Sequence, residues 1–246
     1  MNRLATPEVV MTALDASRAP TAAIAGPISA NRLGALAVAI GAAGVVVTSI
    51  FYGLSPLAAA MPLIPLDLAA AADGALGGAA AMHRAGTVGV FGDMLITVGG
   101  LLLGVERAAR GQSVAASGWF LIAISTVLFS LVDAMVGFVL PAVAVGGASP
   151  AFLAAKSLFD ILFMLGTATF GLGATLAVAG DAFARHRTIP RMLALPALLV
   201  GLAAFVGGAG GILGLNLHDL MALGILGGSA IFVLVGLRLA SASEPA

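Results

Sequence analysis

The sequence predicts an all-α fold, a polytopic transmembrane bundle of six helices with both termini cytoplasmic. Three observations lead there. The 246 residues are 61% hydrophobic and only 9% charged. A soluble domain carries roughly 25% charged residues, so this set cannot build a water-facing surface, and lipid is the remaining place for the apolar area. Six apolar stretches each hold about the twenty residues that cross a ~30 Å hydrocarbon core. Basic residues, finally, fall on one side. With the N-terminus inside, Arg3, Arg18, Arg32, Arg107, Arg110, Arg185, Arg187, Arg191 and Arg238 are cytoplasmic, and only Arg84 and Lys156 lie outside. That asymmetry is the positive-inside bias, and it independently requires an even number of spans. The expected location is the cell (inner) membrane.

Residues 1–30 contain Pro7, Pro20 and Pro27 and no long apolar core. They read as a cytoplasmic tail rather than a signal peptide, whose basic start would lead into an apolar run. The first span is Leu33–Gly53, with Tyr52 placed as an interfacial anchor. Pro56, Pro62 and Pro65 interrupt residues 54–86, which read as an external loop carrying a surface helix within Leu66–Arg84. Spans two to six follow at Gly86–Val105, Gly118–Leu140 (stopped by Pro141), Leu153–Val178, Met192–Leu213 and Leu217–Leu237. Pro196 is tolerable in the fifth because neighbouring helices re-satisfy freed carbonyls. The transmembrane domain thus covers 31–240 and a short cytoplasmic tail 241–246.

Glycines recur four apart at Gly100/Gly104, Gly207/Gly211 and Gly224/Gly228. Small residues at this spacing let helix backbones approach closely in lipid, within the chain or against other membrane subunits. The halves show no matching pattern of the kind inverted-repeat transporters carry.

Charge inside such spans is expensive, and by default it marks a site or a buried pair. Lys156 and Asp160 sit one turn apart in the fourth span, Asp93 lies in the second and Asp133 in the third. Counting at ~1.5 Å per residue from the expected boundaries puts all three acids roughly 10 Å deep on the outer side. Helical phase agrees. Asp93 shares a face with Thr97, Gly100 and Gly104. Asp133 shares one with Thr126, Ser130 and Gly137, and Asp160 with Lys156, Met164, Thr167 and Gly171. An outward-facing acidic pocket is one reading, with Lys156 neutralising Asp160 and Asp93 and Asp133 sharing a proton or holding a cation. In the other reading, Lys156–Asp160, and Asp93 with Arg84 or a hydroxyl, only clamp helices together. At the outer rim are placed His83, Arg84, Lys156, His218 and Asp219.

His83 and His218, near the starts of spans two and six, are the only candidate haem or metal ligands. Against that, Asn216 can cap the sixth helix, with Asp219 in its first turn favoured by the helix dipole. His186 reads as a solvated loop residue, and Glu106/Arg110 and Asp181/Arg185 as solvated pairs at helix ends. The chain has no cysteine, so thiol catalysis and thiolate metal sites are excluded, and zero net charge argues against nucleic acid. No H-E-x-x-H, G-x-S-x-G or phosphate-cradling G-x-x-x-x-G-K-[ST] occurs, and span four offers only threonines below its rim serine, Ser157. An enzyme is not expected.

The stretches MHRAGTVGVFGDML (82–95) and FGLGATLAVAGDAFARHRTIPRMLALPALLVGLAAFVGG (170–208), with the span count, resemble an uncharacterised bacterial family of six-span membrane proteins, known as a domain of unknown function. The likeness rests on Arg84 and Gly86 followed by Asp93, and on the basic turn with Pro190 and Arg191; it covers roughly 31–213. The chain departs in its longer N-terminal tail and its alanine- and glycine-rich composition. The resemblance implies topology and no activity.

The leading expectation is a small-ligand or ion-handling membrane protein, proton-coupled in one version, that uses Asp93, Asp133, Asp160, Lys156, Ser130, Thr97, Thr167 and Arg84. The alternative is a non-catalytic accessory or assembly subunit of a membrane complex. Third is electron transfer through a haem on His83 and His218.

Overall fold

A computed structural model describes residues 29–54, 67–184 and 187–242. The N-terminal tail, the proline-rich part of the 54–86 segment, Arg185, His186 and the last four residues lie outside them. The described chain forms seven helices and no strands: α1 (Ala30–Leu54), α2 (Leu68–Gly77), α3 (Ala79–Ala109), α4 (Ser113–Ala144), α5 (Pro150–Ala182), α6 (Arg191–Ile212) and α7 (His218–Ser241). All but α2 are long and apolar enough to cross a membrane. A six-span bundle is therefore observed, as the sequence predicts.

The spans are longer than hydropathy alone suggests. Helices α3, α4 and α5 run for 31, 32 and 33 residues, which at ~1.5 Å per residue is about 45–50 Å, well beyond a ~30 Å core. Ser149 caps α5 by accepting from the Phe152 amide, with Pro150 at the first helical position, where its missing N–H costs nothing. Asp67 caps α2 through the amides of Ala69 and Ala70. Helix α2 is more than a surface element. Its Ala71, Ala72 and Ala75 are buried in a cluster with Met82, Leu140, Ala144 and Phe152. At α7 the cap position belongs to Leu217 and makes no side-chain bond, so Asn216 does not cap it.

Pro141 does not end the third span. It lacks the N–H that would bond to the Gly137 carbonyl, and the helix absorbs this with a π-helical turn, Met135–Val139, in which the Leu140 amide reaches back to Met135. A second π turn, Leu223–Gly227, interrupts α7.

Each spanning helix packs against its neighbours in the chain, and α7 closes the ring against α1 and α6. The helices meet on small residues. At the α4–α5 crossing, an added Cβ on Gly118 would sit 2.6 Å from the Gly173 carbonyl oxygen, so backbone lies directly on backbone. The repeated glycines Gly100, Gly104, Gly207, Gly224 and Gly228 all lie against other helices of this same chain. Opposite faces are greasy and exposed: Phe91, Met94, Val98, Leu101 and Val105 run down the outside of α3 at helical spacing, where lipid would cover them. Trp119, Phe170 and Phe232 fill the ring interior at the other end of the bundle from α2.

Candidate functional site

The helix ring encloses a cavity of about 370 Å³, bounded by α1, α3, α4, α5 and α7. Its wall is almost entirely apolar, and the two carboxylates on it are Asp93 and Asp133. Asp93 reaches it from α3, where Gly89, Gly92 and Ile96 share its buried face. Asp133 reaches it from the last turn of α4 before the π segment. The approach depends on two glycines. An added Cβ on Gly86 would lie 2.5 Å from the Asp133 carbonyl oxygen, and one on Gly89 would overlap the Asp133 carboxylate itself. Glycine at both positions is what lets the acid of α4 lie against α3.

The two carboxyl groups lie near each other on that wall, Asp133 seated over Gly89 one turn before Asp93, and acids so placed keep one proton between them. The Tyr52 hydroxyl donates to Asp133 Oδ1 at 2.9 Å. Asp93 is only 2% exposed, and apart from its carboxyl neighbour no donor reaches its Oδ2. An orphaned acid oxygen on a cavity wall is costly and calls for an explanation. Also lining the cavity, Phe129, one turn from Asp133 on α4, and Phe159 and Phe163 of α5 form a ring cluster with centroids 5.9 and 6.1 Å apart, and His218 lines the same space from the start of α7.

The remaining sequence candidates fall elsewhere. Asp160 and Lys156 do not line the cavity. Lys156 is not at a rim but 1% exposed, and its Nζ bonds both oxygens of Asp160 at 2.6 and 2.7 Å. Lys156 also lies 5.6 Å from the Phe159 ring centre, which separates this pair from the cavity. The structure therefore brings two of the three acids together. Helix α3 begins at Ala79 rather than Gly86, so Asp93 lies roughly 21 Å along its helix and Asp160 about 15 Å along α5.

Thr97, one turn from Asp93, hydrogen-bonds Thr126, two turns from Asp133, at 2.8 Å and ties α3 to α4. Ser130 donates to the Thr126 carbonyl and Thr167 to the Phe163 carbonyl, so both are occupied within their own helices. Arg84 is exposed, away from Asp93. His83 is exposed and packs edge-on against Phe138 at 4.7 Å. No cluster of three or more metal-ligating side chains occurs among the described residues.

Two features escaped the sequence reading. Tyr52 turns inward to Asp133 rather than anchoring at the interface. Its position at the end of a span is equally consistent with both, and only the partner's location decides. At the opposite end of the bundle, Asp181 is not solvated but 2% exposed. It accepts from the amides of Thr188 (3.1 Å) and Ile189 (2.8 Å) and from the Thr188 hydroxyl. Buried Arg107 lies 3.5 Å from it and also donates to Gln112 and Thr188. This network ties the α3–α4 and α5–α6 turns together. Glu106 and Arg110, by contrast, form the partly exposed i, i+4 pair expected. No family model, curated protein or solved structure matches the chain.

Proposed function

We propose that this protein binds a small ligand or ion at the Asp93–Asp133 pocket and moves it across the cell membrane in exchange for a proton. The single observation that carries this is Asp93, buried on a cavity wall beside Asp133 with an oxygen that no donor other than that neighbouring acid reaches. Ionisable groups held inside spanning helices are by default parts of substrate paths or proton relays. The pair has suitable chemistry. Two adjacent carboxyl groups keep one proton between them, and their remaining negative charge can take up either a second proton or a cation. The two π turns supply a way to move. Both border the cavity, through Val136 on α4 and Ile225 and Leu226 on α7, and such turns recur at functional sites. The Lys156–Asp160 pair serves as a clamp in this reading. The distribution of basic residues favours cytoplasmic termini, and in this reading the pocket faces the exterior.

The test is labelling with dicyclohexylcarbodiimide, a membrane-permeant reagent for protonated carboxyl groups, mapped by peptide mass spectrometry on protein in lipid nanodiscs. Asp93 or Asp133 should be modified and Asp160 spared, and D93N and D133N should each abolish labelling at the changed site while keeping Tm. If neither pocket acid is modified and both variants lose thermal stability, the acids only lock helices and the accessory-subunit alternative is the better account.

A further inference from the structure

The cavity also constrains what it would hold. Resting on the pocket reading above, we infer that the ligand is a monovalent organic cation with an apolar flank, such as a substituted ammonium, rather than a bare metal ion. Charge is the first argument. With one proton between them, Asp93 and Asp133 present a single negative charge, matched by one positive charge. No other carboxylate, lysine or arginine among the described residues lines the cavity, and Lys156 and Asp160 neutralise each other beside Phe159. His218, which also lines the space, adds no negative charge.

The wall is the second argument. A hard cation such as calcium takes about six to eight oxygen ligands, and a dehydrated ion without them is strongly disfavoured. Here most of the wall is apolar, and besides the two acids the side-chain oxygens on it are the hydroxyls of Thr48, Ser49, Tyr52, Thr126 and Ser229. Three of these are held by hydrogen bonds, Tyr52 to Asp133, Thr48 to the Ala85 carbonyl and Thr126 to Thr97, so gathering them around one ion would break those contacts. The same cavity is lined by the cluster Phe129, Phe159 and Phe163, apolar surface with π faces that attract ammonium groups within about 6 Å. Phe159 already carries one such contact, with Lys156. An organic cation brings its own apolar surface to that wall and its charge to the acids. A volume of about 370 Å³ lies at the small end of ligand pockets.

Carbodiimide protection in nanodiscs distinguishes the possibilities. Benzyltrimethylammonium should slow labelling of Asp93 and Asp133 at least tenfold, saturably, whereas equal concentrations of sodium chloride, calcium chloride or uncharged benzyl alcohol should not. Phe163→Leu should weaken that protection severalfold, read as the ratio to the variant's own unprotected labelling rate. Protection by sodium or calcium but not by the ammonium overturns the inference in favour of an inorganic ion. Protection by benzyl alcohol to the same degree overturns the role of charge. Labelling that no cation slows rejects the ligand class while leaving the pocket standing. Absence of labelling in the unprotected control removes the pocket reading and this inference together.

Discussion

Replacing Asp181 should destabilise the bundle far more than its place at a helix end suggests. Asp181 and Arg107 are both 2% exposed and 3.5 Å apart. At an effective dielectric of about 20, unit charges at that distance attract by about 5 kcal/mol, and breaking one side of a buried pair typically costs about 3–5 kcal/mol, because the surviving charge stays desolvated. In D181N the amide oxygen can still accept from the Thr188 and Ile189 amides, so the loss is the charge facing Arg107 together with the Thr188 hydroxyl bond. The assay is an SDS titration in mixed micelles followed by fluorescence of the single tryptophan, Trp119, which is 2% exposed and edge-on to Phe232 at 5.9 Å. D181N should cost about 3–5 kcal/mol, and adding R107M should recover at least half, since the double variant buries no lone charge. A cost below about 1 kcal/mol, or a double variant no more stable than D181N, would refute the argument that the pair is desolvated.

Three other outcomes follow from the same geometry. Gly118→Ala should lose several kcal/mol or fail to fold, because its Cβ would press on the backbone of α5, whereas Gly77→Ala, which meets nothing within 4 Å, should be neutral or gain up to about 1 kcal/mol; parallel SDS titrations compare them. D160N should cost at least about 1 kcal/mol more than K156M, because it strands the more deeply buried partner, and equal losses in thermal unfolding would contradict this. Tyr52→Phe removes the one hydroxyl donor to Asp133 among the described residues and should cost about 1–3 kcal/mol, read as a lowered SDS midpoint with the Trp119 spectrum of the folded protein unchanged.

Much of this architecture was legible in the chain itself. Six spans follow from composition and the length of the apolar runs, because a bilayer imposes that length. The inward faces of α3 and α4 follow from phase, because 3.6 residues per turn places Asp93 with Thr97 and Asp133 with Thr126, and the Thr97–Thr126 bond joins those faces. Boundaries were less legible. Charge and proline mark where a helix becomes costly, yet α3 runs on past His83 and Arg84 and α4 absorbs Pro141 in a π turn.

What the sequence determined alone was which residues must avoid lipid; the tertiary structure decided which of them meet. Phase and depth belong to one helix, but contact depends on how neighbouring helices rotate and how closely they pack. That was set by Gly86 and Gly89, which seat Asp133 against α3 beside Asp93 and leave Asp160 to its own lysine. The same holds for Arg107 and Asp181, distant in sequence and ordinary as helix-end charges until the two turns close over them.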